Sequence, residues 1–82
     1  MMKPLAIALD DIYVPVRLRG TLVAEKVAAL AEDILQNGLR LPIQVRVDKQ
    51  RYVIVTGLHR LEAVRALGET TIAAFVVSAR RV

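Results

Sequence analysis

The strongest constraint on the fold is a strand-like run that stops at a glycine and continues at once as a helix. Residues Tyr52–Thr56 are β-branched or aromatic, which is typical of strands, and Gly57 ends the run. The segment Leu58–Arg60 then opens an amphipathic helical pattern. A strand must therefore pass directly into a helix, which predicts a fold that mixes both elements.

The start of this helix carries an electrostatic conflict. The first turn of a helix bears partial positive charge and unpaired N–H groups, so Asp or Glu is favoured there. This chain instead places His59 and Arg60 in that turn. An anion held by the N–H groups and by the same two side chains would resolve the conflict, and phosphate is the usual one. We therefore predict a phosphate-binding corner at this junction.

Composition limits the classes of protein to consider. With 82 residues there is room for one small domain, and we predict a single domain over residues 1–82. The absence of cysteine excludes disulfides and thiolate chemistry, and one histidine argues against a transition-metal site. No apolar run approaches the roughly 20 residues that span a bilayer, and no secretory signal opens the chain. We expect a cytoplasmic protein without a membrane partner, and the net charge of +4 mildly favours anionic partners.

The clearest helical pattern lies in the first half of the chain, over Leu22–Gln36. Its apolar residues recur at spacings of four, three and four, which places them on one face: Val23, Val27, Leu30 and Ile34. We expect Thr21 to cap its start and Asn37-Gly38 to end it.

The remaining segments complete an order of strand, helix, hairpin, helix and strand. We predict strands at Pro4–Leu9, Ile43–Val47, Arg51–Thr56 and Thr71–Val77, a loop at Asp11–Gly20, a second helix at about Gly57–Leu67, and a basic tail at Ser78–Val82. The short connection between the two middle strands predicts an antiparallel hairpin. The second helix should bury Leu61, Val64 and Leu67 and stop at Gly68. The fold class is α+β, a small mixed β-sheet with two main helices.

Several pieces of the sequence, in this order and spacing, carry a family resemblance. They are Asp11-Ile12 with Pro15 and Arg19, Val27 through Ile34 with Asn37-Gly38, Pro42-Ile43-x-Val45-Arg46, the junction Thr56–Ala63, and Leu67-Gly68 with Ile72-x-Ala74. Together they resemble the N-terminal domain of the ParB family, which shares a fold with sulfiredoxin. The resemblance covers nearly the whole chain.

The resemblance implies a nucleotide at the junction, CTP as in ParB proteins or ATP as in sulfiredoxins, with Mg²⁺. Carried over by position, Thr56 and Gly57 would belong to a nucleotide-binding and phosphate-binding set. His59 and Arg60 would contact phosphate oxygens, and Arg19 would reach in from the segment that precedes the first helix. Arginine suits this role because its planar fork makes paired charge-assisted hydrogen bonds.

The sequence also departs from the family pattern. Leu58 stands where sulfiredoxins carry the catalytic cysteine, so sulfinic acid reductase activity is excluded. Leu58 also replaces a ParB glutamate, and His59 replaces an arginine, so the choice between CTP and ATP stays open. The sequence stops where ParB proteins continue into a helix-turn-helix region. We therefore expect DNA contact only through a partner or through a domain that these residues do not include.

Each candidate residue also has a purely structural interpretation. Gly57 could simply permit a tight turn, although the following His59 and Arg60 favour phosphate contact, and Thr56 is better suited to cap the helix than to bind phosphate. Arg60 could pair with a surface carboxylate. Arg17 and Arg19 lie two positions apart, so both need not face one ligand. For Asp10-Asp11 we favour a turn over a Mg²⁺ site.

Three functions follow. The first is a ParB-like nucleotide-binding module in DNA maintenance, plasmid partition, conjugation or transcription regulation, where nucleotide controls self-association or a partner. The second is a nucleotide hydrolase or a ParB-like nuclease, with proton transfer by His59 or Glu62. The sequence offers it neither a dedicated nucleophile nor a metal cluster, and its catalytic residues are not identified. The third is a protein-interaction domain that has kept the fold without the ligand.

Overall fold

A mixed five-stranded sheet is the framework of the structure, a computed structural model that describes residues 3–78. The strands are β1 (Leu5–Ala8), β2 (Ile12–Tyr13), β3 (Ile43–Asp48), β4 (Arg51–Thr56) and β5 (Thr71–Val76), and their order across the sheet is β1-β5-β3-β4-β2. β1 pairs with β5 and β3 with β4 in antiparallel fashion, whereas β3–β5 and β2–β4 are parallel. Together with the helices described below, the sheet confirms the predicted α+β class.

The predicted hairpin is confirmed. Asp48 pairs with Arg51, so Lys49 and Gln50 alone turn the chain, and Lys49 adopts the positive φ of 59° that such a tight turn demands. A register shift between Gln44 and Val45 marks a bulge near the end of the hairpin that leads into the junction.

The predicted loop at Asp11–Gly20 is wrong over most of its length. A 3₁₀ turn at Leu9–Asp11 leads into β2, which pairs in parallel with β4, and a short helix α1 follows at Val16–Arg19. Elements of two and four residues are too short to produce a readable hydrophobic period, so the sequence pattern could not reveal them.

The first main helix, α2, runs over Ala24–Asn37, two residues later than expected at its start. Thr21 does not cap it. The Thr21 hydroxyl donates to the Leu18 carbonyl at 2.6 Å, which ties this residue to the turn after α1. The predicted stop is confirmed, since Gly38 takes a φ of 78° and its N–H bonds to the Ile34 carbonyl.

The second main helix, α3, runs over Leu58–Ala66. Thr56 was expected as its cap, but Thr56 is the last residue of β4 and Gly57 occupies the N-cap position. Leu67 is half-buried rather than buried because it stands at the C-cap, where the chain turns away at Gly68 with a φ of 82°.

The core lies between one face of the sheet and α3. Ile43, Val45 and Leu61 are fully buried there, and Ile54 is 3% exposed. Alternation along the strands places Val53 on the opposite face, where it is 2% exposed and stands outside the main core cluster. We call these the inner and outer faces of the sheet. α2 packs beside α3 on the inner side, and none of its residues is buried.

Two observations delimit this description. Within residues 3–78, no helix is both long and apolar enough to cross a membrane. The end of the basic tail, Arg80-Arg81, lies outside the described residues.

Candidate functional site

The junction between β4 and α3 requires glycine for two structural reasons. Gly57 has a φ of 105° and a ψ of 29°, a left-handed conformation that residues with a side chain rarely adopt. A Cβ at this position would also stand 2.7 Å from Cγ2 of Ile43, far inside normal contact distance. The glycine thus lets α3 begin directly against β3, and this packing explains it without any ligand.

The N-terminus of α3 is not capped by a side chain. Gly57 offers none, and the first turn contains no acidic residue. The first N–H groups of a helix have no partners within the helix, so the amides of Leu58 and His59 lie unpaired by the helix itself at the positive end of its dipole. This arrangement preserves the electrostatic feature that the sequence indicated.

An open cleft of about 480 Å³ lies between α2 and α3 beside this N-terminus. Its size is within the range of small-molecule sites. We call it the α2–α3 cleft, and its lining residues are Leu30, Asp33, Ile34, Leu39, Arg40, Leu41, Gly57, His59 and Arg60. The three junction residues therefore line the same cavity.

His59 connects the two helices that form the cleft. Its Nε2 accepts a hydrogen bond of 3.1 Å from the backbone N–H of Val23, the residue that precedes α2. An accepting ring nitrogen carries no proton, so this bond leaves Nδ1 as the nitrogen from which the ring can donate. Donation of a hydrogen bond from Nδ1 to a phosphate oxygen, the contact predicted from the sequence, would leave this bond intact.

Arg60 holds the chain that leads into β3. Its Nη1 donates to the carbonyls of Leu41 and Pro42, both at 2.9 Å. The acceptors are backbone oxygens rather than the surface carboxylate considered from the sequence. Nη2 of the same side chain lies 3.2 Å from the place that a Cβ of residue 57 would occupy. Arg60 thus holds the start of β3 against α3 while part of its fork stays beside the junction.

The opposite side of the α2–α3 cleft carries an ion pair that the sequence analysis missed. Nη2 of Arg40 lies 3.6 Å from Oδ1 of Asp33, and the same oxygen accepts a hydrogen bond of 2.9 Å from Asn37. The side chain of Asp33 is 47% exposed. Its position four residues from Asn37 was the only available signal.

Arg19 is separated from the other candidate residues. It lines a second cleft, about 360 Å³, on the far side of the α3 N-terminus together with Leu58, Glu62 and Arg65. Its Nε donates to the carbonyl of Val14 at 3.2 Å. We call this cavity the α1–α3 cleft.

Thr56, as an exposed strand residue, lines neither cleft. The structure thus brings together Gly57, His59 and Arg60 but neither Arg19 nor Thr56. Leu58 is 9% exposed and belongs to the core.

Carboxylates do not gather into a metal site. Among residues 3–78, no group of three or more His, Cys, Asp or Glu side chains is close enough to hold an ion. Asp10 and Asp11 line a separate recess with Gln50 and Arg51. Any Mg²⁺ in the α2–α3 cleft would have to take most of its ligands from phosphate and water, as Mg²⁺ often does.

Comparison with solved structures shows extensive similarity of fold. Sulfiredoxin from Arabidopsis thaliana is 30% identical, with a TM-score of 0.83 over 93% of this chain and 85% of that chain. The C-terminally truncated chromosome-partitioning protein ParB from Caulobacter crescentus, complexed with CTP-γ-S, is 25% identical with a TM-score of 0.80. The match covers 94% of this chain but only 45% of that one.

A more distant likeness concerns the fold alone. A free serine kinase in complex with AMP is 21% identical, with a TM-score of 0.78 over 94% of this chain and 32% of the kinase. No curated protein sequence matches this chain.

The sequence itself matches a family profile over almost its full length. Residues 4–81 match the profile described as the ParB N-terminal domain. The segments that carried the resemblance form the sheet, both main helices and the junction between them. The chain therefore belongs to the ParB N-terminal domain family.

Proposed function

We propose that this domain binds a nucleotide, CTP or ATP, in the α2–α3 cleft, with its phosphates at the N-terminus of α3. The observation that carries the proposal is the uncapped first turn of α3, which opens together with His59 and Arg60 on a cavity of about 480 Å³. Membership in the ParB N-terminal domain family and the CTP-γ-S complex of the Caulobacter relative support it.

The polarity of the cleft favours one orientation of the ligand. Phosphate oxygens would accept from the amides of the first turn of α3 and from the part of the Arg60 fork that faces Gly57. His59 would donate a hydrogen bond from Nδ1 to a phosphate oxygen, while its Nε2 still accepts from the Val23 N–H. At the other side, Asp33 and Arg40 pair and offset each other's charge, so this side attracts phosphate less than the α3 N-terminus does, and the ribose and base belong there. Mg²⁺ would accompany the phosphates, held mainly by their oxygens and water.

The apolar part of the cleft suits a base. Leu30 and Ile34 of α2 and Leu41 of the loop before β3 contribute aliphatic surface next to the Asp33–Arg40 pair. A flat aromatic ring buries apolar area against such a wall, while the polar pair can exchange hydrogen bonds with its edge. Titration with the different nucleotides determines which base is preferred.

Isothermal titration calorimetry with CTP, ATP and GTP, each with Mg²⁺, tests the proposal. Arg60→Ala should weaken nucleotide binding by about tenfold or more, because a charged hydrogen bond contributes about 1.5–3 kcal/mol. Arg65→Ala is the matched control. It removes the same charge from the same helix, but Arg65 pairs with Glu62 at 3.5 Å and lines the other cleft. Arg60→Lys retains the charge without the fork, so it separates geometry from simple attraction.

The titration has two contradicting outcomes. No binding of any nucleotide would overturn the proposal and favour the ligand-free interaction domain. An equal loss of nucleotide affinity in the Arg60→Ala and Arg65→Ala variants would mean that the binding site does not lie in the α2–α3 cleft. Thermal melts provide the fold control, since a ligand at one hundred times its dissociation constant raises stability by about 2.7 kcal/mol.

The cellular role is a further part of the proposal. A nucleotide-bound state of this domain would control self-association or a partner in DNA maintenance, plasmid partition, conjugation or transcription regulation. The chain spans 45% of the Caulobacter ParB chain, so DNA contact would involve a partner or another domain. The hydrolase and nuclease alternatives find less support, because Glu62 lines the α1–α3 cleft whereas His59 lines the α2–α3 cleft.

A further inference from the structure

Arginine side chains differ sharply in how the fold uses them. The sequence has nine arginines, of which Arg80 and Arg81 lie outside the described residues. Of the other seven, five have a protein partner: Arg19, Arg40, Arg51, Arg60 and Arg65. Arg17 and Arg46 make neither a hydrogen bond nor an ion pair with residues 3–78. These two side chains line the same recess.

The recess lies on the outer face of the sheet, away from the α2–α3 cleft. Arg46 pairs in register with Val53, and both alternate with the inner-face residues Val45 and Ile54. Arg17 reaches the recess from α1, which lies beside the same two strands. The volume is about 310 Å³. We call this cavity the outer recess.

The outer recess combines two positive forks with an apolar floor. Val53 at its base is 2% exposed and Val55 beside it is 45% exposed, and among residues 3–78 no acidic side chain lines the recess. Arg46 is half-buried, so part of its hydration is already lost in the folded protein. A guanidinium in this setting gains more from an anion than one that is fully surrounded by water.

We propose that the outer recess is a second anion site, which binds a phosphate group between Arg17 and Arg46. A carboxylate has two oxygens and is satisfied by one guanidinium fork, whereas a phosphate presents further oxygens to a second fork. Within the described part of the chain, no lining carboxylate competes for the two guanidinium groups. The site is separate from the proposed nucleotide cleft, and its phosphate comes either from a nucleic-acid backbone or from a free phosphorylated molecule.

Two probes separate these sources. Fluorescence anisotropy with a short labelled single-stranded oligonucleotide measures binding to a nucleic-acid backbone, at two salt concentrations. Amide NMR titration with inorganic pyrophosphate measures binding of a free phosphate, followed at Arg46, Val53 and Val55. We expect at least one probe to bind the unmodified chain with a dissociation constant below roughly 1 mM at low salt. Oligonucleotide binding alone assigns a backbone, and pyrophosphate binding alone assigns a free phosphate.

The variants localise the binding. The Arg17→Gln/Arg46→Gln double variant should weaken binding of the probe by about tenfold or more and reduce the salt dependence of that binding. The control, Arg51→Gln/Arg65→Gln, removes the same charge from arginines that already have partners in the protein. It should weaken probe binding by less than about threefold. The melting temperature of the test variant should stay unchanged, because neither arginine has a hydrogen-bond or ion-pair partner among residues 3–78 to lose.

Two results would overturn the proposal. One is a failure of both probes to bind the unmodified chain. The other is an equal loss in the test and control variants, which would mean that net charge alone attracts the probe. The His59→Ala/Arg60→Ala variant distinguishes this site from the nucleotide cleft, since it should leave binding at the outer recess intact.

Discussion

The two main helices lie on the same side of the sheet, yet the protein uses them in opposite ways. α3 buries Leu58, Leu61, Ala63 and Val64, and Leu61 is fully enclosed. α2 is longer, at 14 residues, and none of its own residues is buried. Its Ile34 is only half-buried, and its Leu35 is 68% exposed.

This contrast separates a fixed wall of the candidate site from an adjustable one. α3 is held by the core, so the amides at its N-terminus keep their position relative to the sheet. α2 rests on α3 between the α2–α3 cleft and a second cavity of about 350 Å³ near its C-terminal end. Elements with few buried apolar contacts open at lower free energy than the core does. We infer that α2 can shift to fit a ligand while the N-terminus of α3 stays in place.

The largest expected effect tests the packing difference itself. Leu61→Ala should lower the free energy of unfolding by about 2–5 kcal/mol, because it leaves a cavity in a fully enclosed site. Ile34→Ala on α2 should cost clearly less, about 1 kcal/mol, because water already reaches the side chain. Urea denaturation monitored by circular dichroism measures both. Equal losses would contradict the distinction between the helices.

A second test concerns the junction on which the fixed wall depends. Gly57→Ala should destabilise by about 1–3 kcal/mol, since alanine is strained at a positive φ and its Cβ meets Ile43. Gly20→Ala is the matched control, because Gly20 has a φ of −72° and open space around it. That change should be neutral or stabilise by up to about 1 kcal/mol. In thermal melts, Gly57→Ala should lower the melting temperature whereas Gly20→Ala should leave it unchanged or raise it, and a tolerated Gly57→Ala would refute the strained junction.

The smallest expected effect concerns the bond that joins the two walls. His59→Ala removes the acceptor of the Val23 amide and should cost about 0.5–1.5 kcal/mol. The change should be local, because Val23 immediately precedes α2 whereas the Leu61 amide of α3 bonds to the carbonyl of Gly57, the residue before α3. Hydrogen exchange by NMR should therefore accelerate at Val23 and leave Leu61 protected. Equal acceleration at both amides would mean that α2 opens only with the whole domain.

The parts of the fold that the sequence predicted are those set by local patterns. Apolar periodicity fixed the existence of α2 and α3, and glycines at 38 and 68 fixed where the chain turns away from them. Alternation and a short turn predicted the β3–β4 hairpin. The caps assigned to Thr21 and Thr56 were wrong, because a cap depends on where the backbone leaves its previous element, and the residue type alone does not fix that point.

The candidate site likewise has features that the sequence predicted and features that only the fold revealed. The sequence by itself determined that a glycine, a histidine and an arginine would open a helix directly after a strand, because neighbours in the chain must remain neighbours. Only the tertiary structure decided that Arg60 bonds to the Leu41 and Pro42 carbonyls, and that Asp33 and Arg40 face the same cleft. It also placed Arg19 on the other side of α3. These relations depend on how helices pack on the sheet, and packing joins residues whose separation in sequence carries no signal.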